Sequence, residues 1–212
     1  PGRQPIKTAV LSSAQRPKAD ALIREQINEG RQAYVVLPLV EESEKLDLRS
    51  AVDEHSRLQQ EVFPDLQVGL LHGRLSSAEK QQAIEAFSRG ETQLLVSTTV
   101  VEVGVDVPNA TVMLIDHAER FGLAQLHQLR GRVGRGAAAS HCLLVNDSSS
   151  AVAKQRLEVL ARSNDGFEIA EMDLRLRGPG EVLGTRQSGL PDLALASLSD
   201  DGSVLDEARQ TA

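Results

Sequence analysis

The sequence predicts a doubly wound α/β domain on a mostly parallel sheet, with a helical hairpin appended after it. Three observations predict this. Six short apolar runs are interleaved with helical patterns, the arrangement that βαβ crossovers produce. Several of those runs are continuous rather than alternating, as strands buried on both faces require. Past Asn146 the strands stop, and two helical stretches follow with only a turn between them.

The elements follow in order. Thr8-Ala-Val-Leu11 reads as a strand, and Pro17 to Glu29 as a helix with Leu22, Ile23 and Ile27 on one face, stopped by Gly30. Ala33-Tyr-Val-Val-Leu37 is a buried strand. Glu42 to Val62 carries Leu48, Ala51, Val52, His55 and Leu58 at helical spacing. Val68-Gly-Leu-Leu71 is the next strand. Ser76-Ser-Ala-Glu79 is a capping box that opens a helix with Ala83, Ile84 and Phe87 inward, closed by Gly90. Gln93 to Ser97 and Thr111 to Ile115 are strands either side of a loop-rich stretch, Thr98 to Asn109. Leu123 to Gly131 is helical, and His141 to Val145 is the last strand. Asp147-Ser-Ser-Ser150 caps a helix to about Arg162, Asn164-Asp-Gly166 turns, and Phe167 to about Leu176 is helical before a Gly-rich stretch and an acidic end. The expected division is 1–146 as an α/β lobe, 147–190 as a hairpin plus loop, and 191–212 as an acidic tail.

A chain of 212 residues can bury one sizeable core with a small appendage. Its 41% hydrophobic and 25% charged content fits a soluble globular protein and excludes wholesale disorder. No apolar run approaches the roughly 18 residues of a membrane span. Pro1-Gly-Arg-Gln-Pro5 lacks the apolar core of a signal peptide, and with no initiator Met it reads as a linker, which predicts a domain excised from a longer chain. The single Cys142 excludes an internal disulfide and fits a reducing, cytoplasmic setting. The net charge of −7 is uneven: Arg120 to Arg186 holds ten Lys and Arg against seven Asp and Glu, the remainder 13 against 23. Eighteen of the 23 basic residues are arginine, which suits bidentate phosphate contacts but also follows from a GC-rich genome.

The strongest chemical signal is Gln128-x-x-Gly131-Arg132-x-Gly134-Arg135. Phosphoryl transfer needs positive charge on the γ-phosphate as the bond loosens, and an arginine from a neighbouring lobe can supply it. Two arginines three apart at a helix end, with glycines allowing close backbone approach, suit that task. Upstream, Val96 to Pro108 is a strand that ends in hydroxyl residues, then a turn with Gly104 and Asp106. Thr98 and Thr99 at a strand's carboxyl end can bond phosphate, or simply cap a helix. Asp106 could accept from a ribose hydroxyl or hold an arginine.

These residues resemble superfamily 2 helicases, whose lobes are RecA-like: Ser97 to Asp106 is similar to motif V, Gln128 to Arg135 to motif VI, Tyr34-Val-Val-Leu-Pro38 to motif IV, and Leu71-His-Gly-Arg-Leu75 to the loop after the following strand. Phe167 to Gly189 resembles the translocation hairpin shared by the RecG and transcription-repair coupling factor families. Thr185-Arg-Gln-Ser-Gly189 and Pro38 to Glu44 favour the RecG branch. The resemblance implies the second motor lobe of an ATP-dependent helicase acting on branched DNA, such as stalled forks and Holliday junctions, in recombination and repair. It implies that Arg132 and Arg135 contact the γ-phosphate of ATP held with Mg²⁺ by a first lobe, and that Gln128 couples nucleotide state to lobe closure. Gly104, Asp106 and Gly131 would shape the nucleotide-facing turns, and Thr98 and Thr99 would meet DNA phosphate. Arg156, Arg177 and Gln187 would turn lobe closure into movement along duplex DNA. The implied partners are branched duplex DNA, the first lobe and wedge domain of the same polypeptide, and single-stranded DNA-binding protein, with the enzyme a monomer.

Three rival readings are a coupling-factor translocase lobe, a non-catalytic binding module derived from a helicase lobe, and a DEAD-box-type RNA helicase lobe. The intact arginine pair argues against the second, and the hairpin past Asn146 against the third. Gly-x-x-x-x-Gly-Lys-Ser/Thr is missing, so nothing here cradles a triphosphate and the lobe alone should not hydrolyse ATP. Asp53-Glu54 lies inside a helical pattern rather than after a strand, and is expected on a solvated face. The five histidines show no metal spacing, so no metal site is expected.

Overall fold

The computed structural model describes residues 5–39, 44–98 and 107–177. Its centre is a six-stranded sheet in the order β1-β6-β5-β2-β4-β3, every described pairing parallel. The strands are β1 (Ile6–Ser12), β2 (Gln32–Val36), β3 (Val68–Leu71), β4 (Leu94–Ser97), β5 (Ala110–Ile115) and β6 (Ser140–Asn146). Helices α1 (Arg16–Asn28), α2 (Glu44–Arg57), α3 (Ser77–Ser88), α4 (Leu123–Arg130), α5 (Ala151–Arg162) and α6 (Gly166–Arg177) surround it, and α2 runs on into a wider π turn, Leu58–Val62. Each predicted strand is present, with ends moved by one or two residues.

Burial on both faces explains the continuous apolar runs. All five residues of β2 and all six of β5 are buried. Alternate residues feed two separate cores. Tyr34, Val36, Met113 and Ile115 face one side with Phe87 of α3 and Leu126 of α4, while Ala33, Val35, Val112 and Leu114 face the other with Ile23 of α1 and Ala51 of α2. Helices therefore cover both faces, the doubly wound arrangement that was expected.

The hairpin is built into this core rather than merely hung on it. Leu157, Val159 and Leu160 of α5 and Ile169 of α6 belong to the same apolar cluster as α4. Ser150 caps α5 by accepting from the Ala153 N–H, as the serine run predicts. Gly166, expected in the turn, is instead the first residue of α6, because the Asp165 carboxylate accepts from the Phe167 N–H and starts the helix there.

Two assignments on α2 are corrected. Val52 is 40% exposed, not inward. Glu54 is not on a solvated face: it accepts from Arg16 at 2.6 Å and Arg57 at 2.9 Å, in a half-buried network with Asp20. Helical spacing places the apolar stripe of α2 to within a residue, and that one-residue rotation exchanges the two. Asp53 is exposed, as expected.

Candidate functional site

Helix α4 fixes the arginine segment from behind. Leu123, Leu126, Leu129 and Val133 are buried against the sheet, while Gln128 stands exposed on the other side. After Arg130 the chain keeps turning: the Arg132 N–H donates to Leu129 and the Val133 N–H to Arg130. Gly134 then takes φ +79°, a conformation that side chains resist, and its N–H reaches the Ser140 hydroxyl at 3.0 Å. Within this turn Arg132 is half-buried and Arg135 exposed, the latter steadied by its Nε donating to the Gly131 carbonyl at 3.0 Å. Since α4 returns from the carboxyl end of β5 to the start of β6, both arginines lie at the amino edge of the sheet.

Thr98 directly follows β4, at the carboxyl edge. Its N–H donates to the Leu71 carbonyl, it is 1% exposed, and its Oγ1 has no hydrogen-bond partner among the described residues. Strands β4 and β6 are separated by β2 and β5, so the two motifs do not meet across adjacent strands. Pro108, two residues before β5 at the amino edge, packs against Gly136 of the arginine loop. Thr99, Gly104 and Asp106 lie outside the described residues, as do Gln187 and the side chain of Arg177, the last residue of α6.

Arg156 projects from α5 across the entry to α4. Its guanidinium donates to the carbonyls of Phe121 (2.5 Å) and Glu119 (3.4 Å). The end of α4 holds a residue that motif reading passed over. Arg130 is buried at 2% exposure and donates to the Leu160 carbonyl of α5. Burial lowers its pKa, partly opposed by the neighbouring Cys142. The sequence did carry a signal: Arg130 follows Leu123 by seven residues and Leu126 by four, a cation on the apolar stripe.

The histidines divide by role. His55 bonds the Val68 carbonyl at 2.7 Å, and His72 accepts from the Arg74 N–H, both structural tasks. His117 sits in the left-handed region at φ 47°. It comes together with its near neighbour Glu119 and with Asp147, which spacing could not show because Asp147 arrives on a different connection. Glu119 accepts from the Asp147 N–H, and Asp147 from the Ser13 hydroxyl, so hydrogen bonds between loops hold the two carboxylates together. Cys142 is fully buried, and burial pushes its thiol up to about 12, that of an inert apolar side chain.

An all-parallel sheet with helices on both faces is the RecA-like arrangement, and here the arginine segment closes the helix before its last strand. The chain belongs to the helicase conserved C-terminal domain family, which matches residues 17–137. Residues 163–212 match the family described as ATP-dependent DNA helicase RecG, domain 3, C-terminal. Curated relatives named ATP-dependent DNA helicase RecG are similar along the whole chain: 62% identical over 212 residues in Synechocystis sp., covering 26% of that protein, and 48% over 211 residues in Bacillus subtilis, covering 31%. The chain thus spans about a quarter to a third of the length of these relatives. Among solved structures, RecG bound to a three-way DNA junction matches 97% of this chain and 26% of that one, at TM-score 0.75 and 43% identity. Domain 2 of the DEAD-box helicase Mss116p matches 71% of this chain and 58% of that one, at TM-score 0.57 and 22% identity, which marks the shared RecA-like fold alone. The chain is thus similar along its whole length to the C-terminal region of RecG helicases.

Proposed function

We propose that this chain works as the second motor lobe of an ATP-dependent translocase on branched DNA, in recombination and repair, delivering Arg132 and Arg135 to ATP held by a first lobe. One observation carries the reading. Gln128 and Arg135 stand exposed, and Arg132 half-buried, at a helix end whose other side is fixed in the core. A charge held in place before the reaction stabilises developing phosphoryl charge without reorganisation.

Residues 131–139 contain no Asp or Glu, so this loop suits a phosphate and offers no carboxylate to Mg²⁺. The metal belongs with the first lobe, as does the triphosphate cradle. Gly104, Asp106 and Gly131 shape the nucleotide-facing turns. Thr98 and Thr99 face DNA phosphate from the opposite edge, and the Thr98 hydroxyl must be uncovered to do so. Arg156, Arg177 and Gln187 couple lobe closure to movement. The division into a lobe (1–146), a hairpin with its loop (147–190) and an acidic tail (191–212) belongs to the same reading. So do a wedge domain in the same polypeptide, single-stranded DNA-binding protein as a partner, a monomeric enzyme and a cytoplasmic location.

The test is twofold. The purified fragment should hydrolyse ATP negligibly, with or without DNA. In the full-length protein Arg132→Ala should cost at least about 10³-fold in DNA-stimulated ATP hydrolysis. DNA-stimulated turnover by the fragment would sink the split site, and unchanged turnover in Arg132→Ala would leave a non-catalytic binding module.

A further inference from the structure

Among the described residues Arg130 is the one buried cation, and the proposed phosphoryl transfer does not use it. Among the described residues it pairs with no carboxylate, and a buried charge without a counter-ion is costly unless its hydrogen bonds are met. Three elements meet them. The guanidinium donates to the Leu160 carbonyl of α5 at 2.5 Å, to the Thr8 hydroxyl of β1 at 3.3 Å, and to Nδ1 of His127 at 2.9 Å. Accepting at Nδ1 places the His127 proton on Nε2. That side of the ring lies against Gly166, where a Cβ would stand only 3.1 Å from Nε2. The last turn of α4 is therefore hydrogen-bonded to the end of α5, and its His127 ring packs against the start of α6.

Arg156 makes the reverse tie, from α5 to the carbonyls of Glu119 and Phe121 in the turn that leads into α4. The two arginines cross between the same pair of helices in opposite directions, one at each end of α4.

We propose that Arg130 is a positioning residue: it locks the α5–α6 hairpin to the helix that carries Arg132 and Arg135, so that displacement of the arginine segment during ATP turnover moves the hairpin with it as one body. The proposal rests on the two-lobe motor reading above. Helix α4 does not need Arg130 to keep its place, because Leu123, Leu126, Leu129 and Val133 pin it to the sheet. The hairpin also has apolar contacts, Leu157, Leu160 and Ile169, but these are non-directional, whereas a guanidinium fork fixes register. Loss of the fork should loosen transmission before it disturbs hydrolysis.

The experiment uses full-length enzyme and a synthetic three-way DNA junction. It reads kcat and KM for ATP, and the junctions separated per ATP hydrolysed, for wild type, Arg130→Met, Arg130→Lys, Arg156→Met and the double methionine variant. In Arg130→Met, kcat should stay within about threefold while separation per ATP falls about tenfold or more. Arg130→Lys, with charge but no fork, should fall between. The double variant should lie within about twofold of the worse single one, because either break opens the same lock. A parallel fall in kcat and separation, or an unchanged ratio, overturns the proposal. If Arg130→Met does not fold, Arg130→Lys carries the same two outcomes. A wild type that hydrolyses ATP without separating strands would instead overturn the motor reading, and the lock with it.

Discussion

Gly136 lies against the main-chain carbonyl of Pro108 so closely that a Cβ would stand 2.6 Å from its oxygen. Backbone, not a flexible side chain, occupies that space, so Gly136→Ala must push two loops apart. The change should destabilise the lobe by about 1–3 kcal/mol, read by chemical denaturation. On the proposed reading it also displaces Arg132 and Arg135, so DNA-stimulated ATP hydrolysis by the full-length protein should fall with KM for ATP little changed. Wild-type stability in Gly136→Ala would show that the Pro108 loop yields freely.

The α1–α2 charge network should make stability depend on acid. Burial pushes the Glu54 carboxyl up, but hydrogen bonds and charge from Arg57 and Arg16 outweigh it and hold the group below its ordinary range. A depressed carboxylate contributes fully above its unfolded value, near 4.5, and loses that contribution as pH falls through the lower folded value. Glu54→Gln should therefore cost about 1–3 kcal/mol at pH 7, leaving two arginines short of a partner. It should also flatten the loss of stability below about pH 4.5. Equal acid slopes for the two proteins would place the titration elsewhere.

Far more of the sheet than of the site was legible in the sequence. A strand buried on both faces leaves a continuous apolar run, as Tyr34 to Leu37 and Val112 to Ile115 do, and capping needs only local residues such as Ser76 with Glu79. Strand order is a long-range property, and so motif spacing alone does not show that Thr98 and the arginine turn stand at opposite edges of the sheet. Motif spacing marked Gln128, Arg132 and Arg135 because it registers exposed chemistry. It passed over Arg130, whose partners Thr8 and Leu160 are distant in sequence, and the approach of Asp147 to His117 and Glu119 for the same reason.

The hairpin residues should separate hydrolysis from work. On the proposed reading, Arg177→Ala or Gln187→Ala in the full-length enzyme should spare DNA-dependent ATP hydrolysis to within a few-fold and abolish strand separation. Arg156→Ala carries an added cost, since it leaves the Phe121 and Glu119 carbonyls without their donor, about 1–2 kcal/mol of stability. Side-by-side assays of ATP consumption and junction unwinding decide the matter. Parallel loss of both activities in Arg177→Ala would mean that the hairpin supports the catalytic fold.

Thr98→Val distinguishes a structural hydroxyl from one that meets DNA. The Thr98 Oγ1 is buried and has no hydrogen-bond partner among the described residues, so in the free lobe it costs desolvation without recompense. Valine keeps the β-branched shape and removes that cost. The variant should be as stable as wild type or more stable by up to about 1 kcal/mol, read by thermal or chemical denaturation. If the hydroxyl is uncovered to bond a phosphate when the lobes close on DNA, the same variant should need several-fold more DNA for half-maximal ATP hydrolysis, with kcat at saturating DNA nearly unchanged. A more stable protein with wild-type DNA dependence would remove Thr98 from the DNA-facing edge and leave that contact to its neighbours.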